Sequence, residues 1–128
     1  MDQAERRTYL IRRLLAERPE YAGIDIPSDE YGQKRLLRSL FNMREPGYID
    51  SDFLKVQDEY LQEAARLKGI TRVSDILPAG PGIYLWQGDI TTLACGAIVN
   101  AANSGMTGCY QPCHNCIDGD IGELLQAL

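Results

Sequence analysis

Two runs decide how this chain is read: Ile83-Tyr84-Leu85-Trp86-Gln87-Gly88-Asp89-Ile90-Thr91 and Ala97-Ile98-Val99-Asn100-Ala101-Ala102-Asn103. The first opens on apolar and aromatic residues and reads as a strand. The second opens on three consecutive apolar residues, the pattern of a strand in a parallel sheet covered on both faces. Between them, Gly88 to Leu93 reads as a turn into a short helix or irregular segment. Polar residues follow each strand at once, Asp89 after the first, Asn100 and Asn103 after the second. Ligands of open α/β sheets bind at such strand ends. An Asp there accepts hydrogen bonds from a purine amine and a neighbouring backbone group, and two Asn side chains offer ribose hydroxyls both donors and acceptors. Asp and Asn are also common turn and cap residues, so this pattern alone favours a structural role.

Upstream, the chain reads helical. Leu10, Ile11, Leu14 and Leu15 recur at helix spacing until Pro19 ends the pattern. Ser28 is placed to cap a second helix, whose apolar stripe is Leu36, Leu37, Leu40 and Phe41, ahead of Pro46-Gly47. A third helix starts near Asp50 or Ser51 and buries Phe53, Val56, Tyr60, Leu61, Ala64 and Leu67, with Gly69 as its C-terminal cap. The basic residues Arg12, Arg13, Lys34, Arg35 and Arg38 read as the solvated face of these helices or as a binding surface. The stretch Leu77-Pro78-Ala79-Gly80-Pro81-Gly82 reads as a turn or linker. The layout is α/β, with a helical N-terminal extension over residues 1–72 followed by the first strands of an α/β unit over 73–128.

Downstream lies Gly108-Cys109-Tyr110-Gln111-Pro112-Cys113-His114-Asn115-Cys116. Three of the chain's 4 cysteines and its 1 histidine fall in this stretch. Thiolate and imidazole are preferred zinc ligands, and Cys109, His114 and Cys116 form a Cys-x4-His-x-Cys spacing. Three protein ligands leave one tetrahedral position free, the arrangement of catalytic rather than structural zinc. Cys113 adjoins His114 and points elsewhere in regular backbone, so it is read as a supporting or buried residue. A dithiol redox pair, Cys113 with Cys116, is the competing chemistry, but it leaves Cys109 without a role.

Composition narrows the partners. The formal net charge is -5, which argues against attraction to a nucleic-acid backbone. It leaves room for a small phosphate-bearing ligand held by backbone N–H groups. No apolar run approaches the ~20 residues of a membrane-spanning helix, and the start carries no signal-peptide pattern. Crowded thiols without signs of export make the cytoplasm the expected compartment.

Taken together, Gly88-Asp89-Ile90-Thr91, Ala97 to Asn103 and the Gly108-Cys109…Pro112…His114-x-Cys116-Ile117-Asp118 segment resemble the macrodomain family, in its zinc-dependent microbial branch. The resemblance implies a three-layer α/β/α fold, a helical N-terminal extension and a zinc-dependent hydrolase that removes ADP-ribose from ADP-ribosylated proteins. It implies that Asp89 holds the adenine end with the Ile90 backbone, and that Gly105 and Met106 belong to a loop approaching the ligand. Asn100 and Asn103 would lie beside the distal ribose, where the scissile bond is, as candidate catalytic residues. Cys109, His114 and Cys116 would bind Zn2+. In some bacteria the branch works beside a sirtuin-like ADP-ribosyltransferase and a lipoyl-carrier protein. The branch's later strands, diphosphate loop and ribose-covering aromatic have no counterpart after Asp118, where Ile121, Leu124, Leu125 and Leu128 keep helix spacing. A C-terminally truncated form is therefore expected, either active or a non-catalytic zinc- or ADP-ribose-binding remnant.

Overall fold

The computed structural model describes residues 1–105, 108–114 and 116. The expectations on Met106 and on the spacing of residues 121–128 lie outside them. Three helices come first: α1 (Gln3–Ala16), α2 (Glu30–Met43) and α3 (Ser51–Lys68). Each begins on an aspartate whose carboxylate accepts from a first-turn backbone N–H: Asp2 from Glu5, Asp29 from Gly32, Asp50 from Phe53. Such caps satisfy donors that have no partner within the helix and place negative charge at the positive end of its dipole. Asp29, one residue past the expected Ser28, caps α2. At the other end of α3, Gly69 turns the chain at φ 92, a conformation that favours glycine.

The apolar stripes meet as the spacing predicts. Leu10, Ile11 and Leu14 of α1 pack with Leu37, Leu40 and Phe41 of α2 and with Phe53, Val56 and Tyr60 of α3. Leu15, Leu36 and Leu61 lie at the edge of this cluster. Leu67 departs from the expected buried face, since the last turn of α3 extends past the cluster and leaves it exposed. Helix α1 sits between the other two and packs on both.

Beyond Gly69 the elements are short strands, making the chain mixed α/β. β1 (Thr71–Arg72) pairs in parallel with β4 (Leu93–Ala94), and β2 (Pro78–Gly80) pairs antiparallel with β3 (Ile83–Tyr84). The Pro-rich stretch read as a linker thus supplies one arm of a hairpin. Proline is tolerated there because β2 has a partner on one side only among the described residues. The strand expected over Ile83 to Trp86 stops at Tyr84. The strand expected at Ala97-Ile98-Val99 is not formed. Among the described residues no strand pairs with 97–99, and the parallel partner of β1 is instead Leu93–Ala94. An apolar run becomes a strand only where a neighbour takes up its N–H and C=O groups. Among the described residues these pairs form two small two-stranded sheets, and the layered arrangement implied by the resemblance is not assembled among them.

Candidate metal and ligand site

Asp89 ends the segment after β3 and caps a 3-10 turn, Ile90–Thr92, which meets the expectation of a turn between the two runs. Its Oδ1 accepts from the Thr91 backbone N–H at 3.0 Å and from the Thr91 hydroxyl at 2.6 Å. Its Oδ2 accepts from Lys68 Nζ, in the last turn of α3, at 2.9 Å. The Thr91 hydroxyl, Lys68 and the Thr91 N–H together hold the Asp89 carboxyl down at about 2. At neutral pH this side chain is therefore an anion and purely an acceptor. Two donors fill Oδ1, whereas Oδ2 carries one and retains a lone pair for an incoming N–H. Gly88 just before it lies against the Trp86 ring, where a Cβ would come within 2.3 Å of the indole. That contact fixes how the chain enters Asp89.

Asn100 is half-buried and Gly105 is exposed. Asn103 clips the intervening loop: its Nδ2 donates to the Gly108 carbonyl at 2.7 Å, and its Oδ1 accepts from Gly105 N–H at 3.1 Å. Asn103 thus ties the second run directly to the start of the cysteine-rich loop.

In that loop Cys109, His114 and Cys116 converge, with their ligand atoms all within 4.8 Å of one another. Cys109 Sγ lies 3.4 Å from His114 Nδ1. Tetrahedral zinc with bonds of about 2.3 Å to sulfur and 2.0 Å to nitrogen holds such a pair about 3.5 Å apart, so this pair is spaced for the ion and the thiolate–imidazole chemistry of the set suits it. The polypeptide reverses at Cys113, in the left-handed region at φ 54, and the backbone N–H of His114 donates to the Gln111 carbonyl at 3.2 Å. This reversal sends the Cys113 thiol away from the other ligands, toward the Arg35 carbonyl of α2 at 3.4 Å. The Cys113 thiol thus stands apart from the other three groups. Among the described residues Cys109, His114 and Cys116 therefore gather without Cys113, an arrangement that could hold a metal ion, and Cys113 and Cys116 are free thiols rather than a disulfide.

Several residues that position these groups were not singled out from the sequence as site residues. Lys68 reads as an ordinary helix-end cation, yet it meets Asp89. Asn42 reads as a helix-end polar residue, yet it is buried and its Nδ2 donates to the Cys109 carbonyl at 3.2 Å. An asparagine directly after the apolar pair Leu40-Phe41 was the one local signal. Arg38, read as part of a basic face, donates to the His114 carbonyl at 3.3 Å. Of the other cations of that face, Lys34 pairs with Glu30 and Arg35 lies over the Tyr31 ring within α2, and Arg13 pairs with Asp50 at the start of α3.

Sequence comparison is informative at this point. No protein-family model matches the chain. A protein-ADP-ribose hydrolase of Treponema medium is 58% identical over 125 residues, covering 94% of this chain and 48% of that protein. A protein-ADP-ribose hydrolase of Staphylococcus aureus (strain MRSA252) is 41% identical over 114 residues, 88% of this chain and 42% of that protein. The chain belongs to the protein-ADP-ribose hydrolase family. A more distant relative, from Fusarium oxysporum f. sp. cubense, is a probable bifunctional ADP-ribose hydrolase/ADP-ribosyltransferase, 38% identical over 97 residues, or 67% of this chain and 16% of that protein. The chain spans about half the length of the curated protein-ADP-ribose hydrolases that it matches best. The matched region takes in the helical lead as well as the site, because 94% of the chain cannot be covered without both. Among the described residues, no helix is long and apolar enough to cross a membrane.

Proposed function

We propose that this chain contributes to a zinc-dependent hydrolase that removes ADP-ribose from ADP-ribosylated proteins. The observation that carries the reading is the convergence of Cys109, His114 and Cys116 in a homologue of protein-ADP-ribose hydrolases. In this reading residues 1–72 are a helical extension and residues 73–128 the first part of a macrodomain. Cys109, His114 and Cys116 would hold the ion. When bound, zinc can polarise a ligand oxygen or lower the pKa of a coordinated water, and either serves cleavage of a glycosidic bond.

The chain's own residues set the rest. Asp89, ionised and with a free lone pair on Oδ2, accepts the exocyclic amine of adenine, while the Ile90 backbone offers a neighbouring contact. Asn100 and Asn103 lie along the path from there to the metal loop and serve the distal ribose, with Gly105 and Met106 in the loop that approaches it. The Asn103 clip to Gly108 keeps that loop in register with Cys109, so orientation at the scissile end is built into the backbone. The expected setting is the cytoplasm. A sirtuin-like transferase that adds the modification and a lipoyl-carrier protein that bears it are the partners this reading favours.

Metal analysis of the purified chain tests the reading directly. Close to one zinc per chain is expected, lost in both Cys109→Ala and Cys116→Ala. Calorimetry with ADP-ribose is expected to show binding that Asp89→Ala weakens. Zinc content that is unchanged in both cysteine variants would sink the metal assignment, and no heat at millimolar ADP-ribose would sink the ligand assignment.

A further inference from the structure

Helix α2 presents two faces. Leu37, Leu40 and Phe41 point into the helical core. Arg35, Arg38 and Asn42 are spaced three and four residues apart and so share a second face. All three touch the cysteine-rich loop: the Arg35 carbonyl accepts from the Cys113 thiol, Arg38 Nη2 donates to the His114 carbonyl, and Asn42 Nδ2 donates to the Cys109 carbonyl. Two of the three candidate ligands therefore have their own carbonyl groups pinned by one helix. Pinning a carbonyl fixes the peptide plane that follows it, and with it the direction of the ligand side chain.

Asn42 is the informative member. Only 6% of it remains exposed, and among the described residues its buried Oδ1 has no hydrogen-bond partner. An amide placed there costs the fold free energy. Leucine, close to it in size, would avoid that cost. Among the described residues its side chain makes one hydrogen bond, to Cys109, the first candidate ligand of the loop.

We infer that Asn42, assisted by Arg38, is a positioning residue of the metal site, so that the helical lead preorganises the loop for zinc. The inference rests on the zinc assignment proposed above. Supporting groups around a metal site commonly change affinity 10–100-fold when removed. The full chain carrying Asn42→Leu is therefore expected to bind zinc at least about tenfold more weakly, read by competition with a chromophoric chelator. Its urea midpoint is expected to be unchanged or higher in metal-free protein, because the unpartnered Oδ1 is gone. A merely structural role for Asn42 predicts the opposite pair, lower stability with intact zinc affinity.

Arg38→Met keeps the aliphatic stem and removes the donor to His114. It is half-buried, so it reports on the same effect should Asn42→Leu disturb helix packing. A smaller loss of zinc affinity is expected. In metal-free protein, deuterium uptake of the 108–114 segment is expected to quicken in both variants. Zinc affinity within twofold of the parent in both variants overturns the inference, and if Cys109→Ala loses zinc in the same series, the zinc assignment stands without it. A parent chain that takes up no zinc overturns both.

Discussion

Every buried hydrophobic residue among the described residues lies on α1, α2 or α3, whereas beyond Gly69 Leu77, Leu85 and Val99 keep 88%, 82% and 91% of their surface in water. The two regions are held by different interactions. Fully burying a Leu, Ile or Phe contributes about 1.5–3 kcal/mol, and the helical region has a cluster of such residues around Leu10, Leu37 and Phe53. The strand-and-loop region is tied to the helices largely through polar contacts: Lys68 to Asp89, Arg38 to His114, Asn42 to Cys109, and Cys113 to Arg35. A net hydrogen bond is typically worth about 0.5–1.5 kcal/mol, and an exposed ion pair about 0–1. The helices therefore hold the buried apolar core, and the loops carry the candidate site residues. This division is why the candidate site residues sit on segments with little core of their own.

The sharpest way to break this comparison is to remove a core side chain. Phe53 is 2% exposed, within the cluster between α1 and α3. Phe53→Ala is expected to cost about 3–5 kcal/mol through lost burial and the cavity left behind. That is a large share of the stability of an ordinary domain, so the urea midpoint of the helical circular dichroism is expected to fall sharply. Survival of the helical signal with an unchanged urea midpoint would show that the core is not where stability resides.

Next comes a cap. Asp50 accepts from Phe53 N–H at 2.9 Å and pairs with Arg13. Those contacts, the Phe53 N–H bond first, hold its carboxyl below the ordinary range. Asp50→Ala is expected to cost about 1 kcal/mol, and Asp50→Asn much less because the amide oxygen still caps. Because the folded-state pKa is depressed, the contribution is present above the ordinary carboxylate pKa and is lost as pH falls below it. Urea midpoints at pH 7 and pH 3 check both points: the gap between parent and Asp50→Ala should narrow in acid.

What could be read from sequence divides along the same line. Helix spacing located α1, α2 and α3, since Leu10, Ile11 and Leu14, or Phe53, Val56 and Tyr60, state their face by period alone. The caps at Asp50 and Gly69 were legible for the same local reason. The convergence of Cys109, His114 and Cys116 was legible because the three are close in sequence, so little tertiary information is needed to bring them together. The strands were read less well. Ala97-Ile98-Val99 has strand composition, but pairing depends on a partner distant in sequence, and β1 found Leu93–Ala94 instead. Asn42, Arg38 and Lys68 were illegible as site residues because each acts on a group 21 to 76 positions away, which no local pattern encodes.

A milder perturbation tests the polar link itself. Lys68→Met removes one of the groups that depress Asp89 but leaves Thr91 in place, so the Asp89 carboxyl is expected to rise from about 2 while staying below its ordinary value. Carboxyl titration by NMR reads this directly. In the parent, the stabilising contribution of Asp89 is complete above about pH 4 and fades as pH falls toward 2. Part of that narrow window should vanish in Lys68→Met, with the share due to Thr91 remaining. An Asp89 that still titrates near 2 in the variant would show that Thr91 alone holds it.

The smallest expected effect is the most discriminating for the comparison. Leu85 and Val99 are the kind of residue that normally builds a core, and in most domains Leu→Ser at a strand position would be severe. Here Leu85 follows β3 with most of its surface in water and Val99 belongs to an unpaired stretch. Serine at either position removes little buried apolar area, so Leu85→Ser and Val99→Ser are each expected to change stability by no more than about 0.5 kcal/mol. The urea midpoint of the chain should barely move, and its solubility should improve as exposed apolar surface is lost. A loss above about 1 kcal/mol at either site would mean that these side chains are covered in solution. In that event the strand-and-loop region would have an apolar core of its own, and the helices would no longer be the sole source of stability.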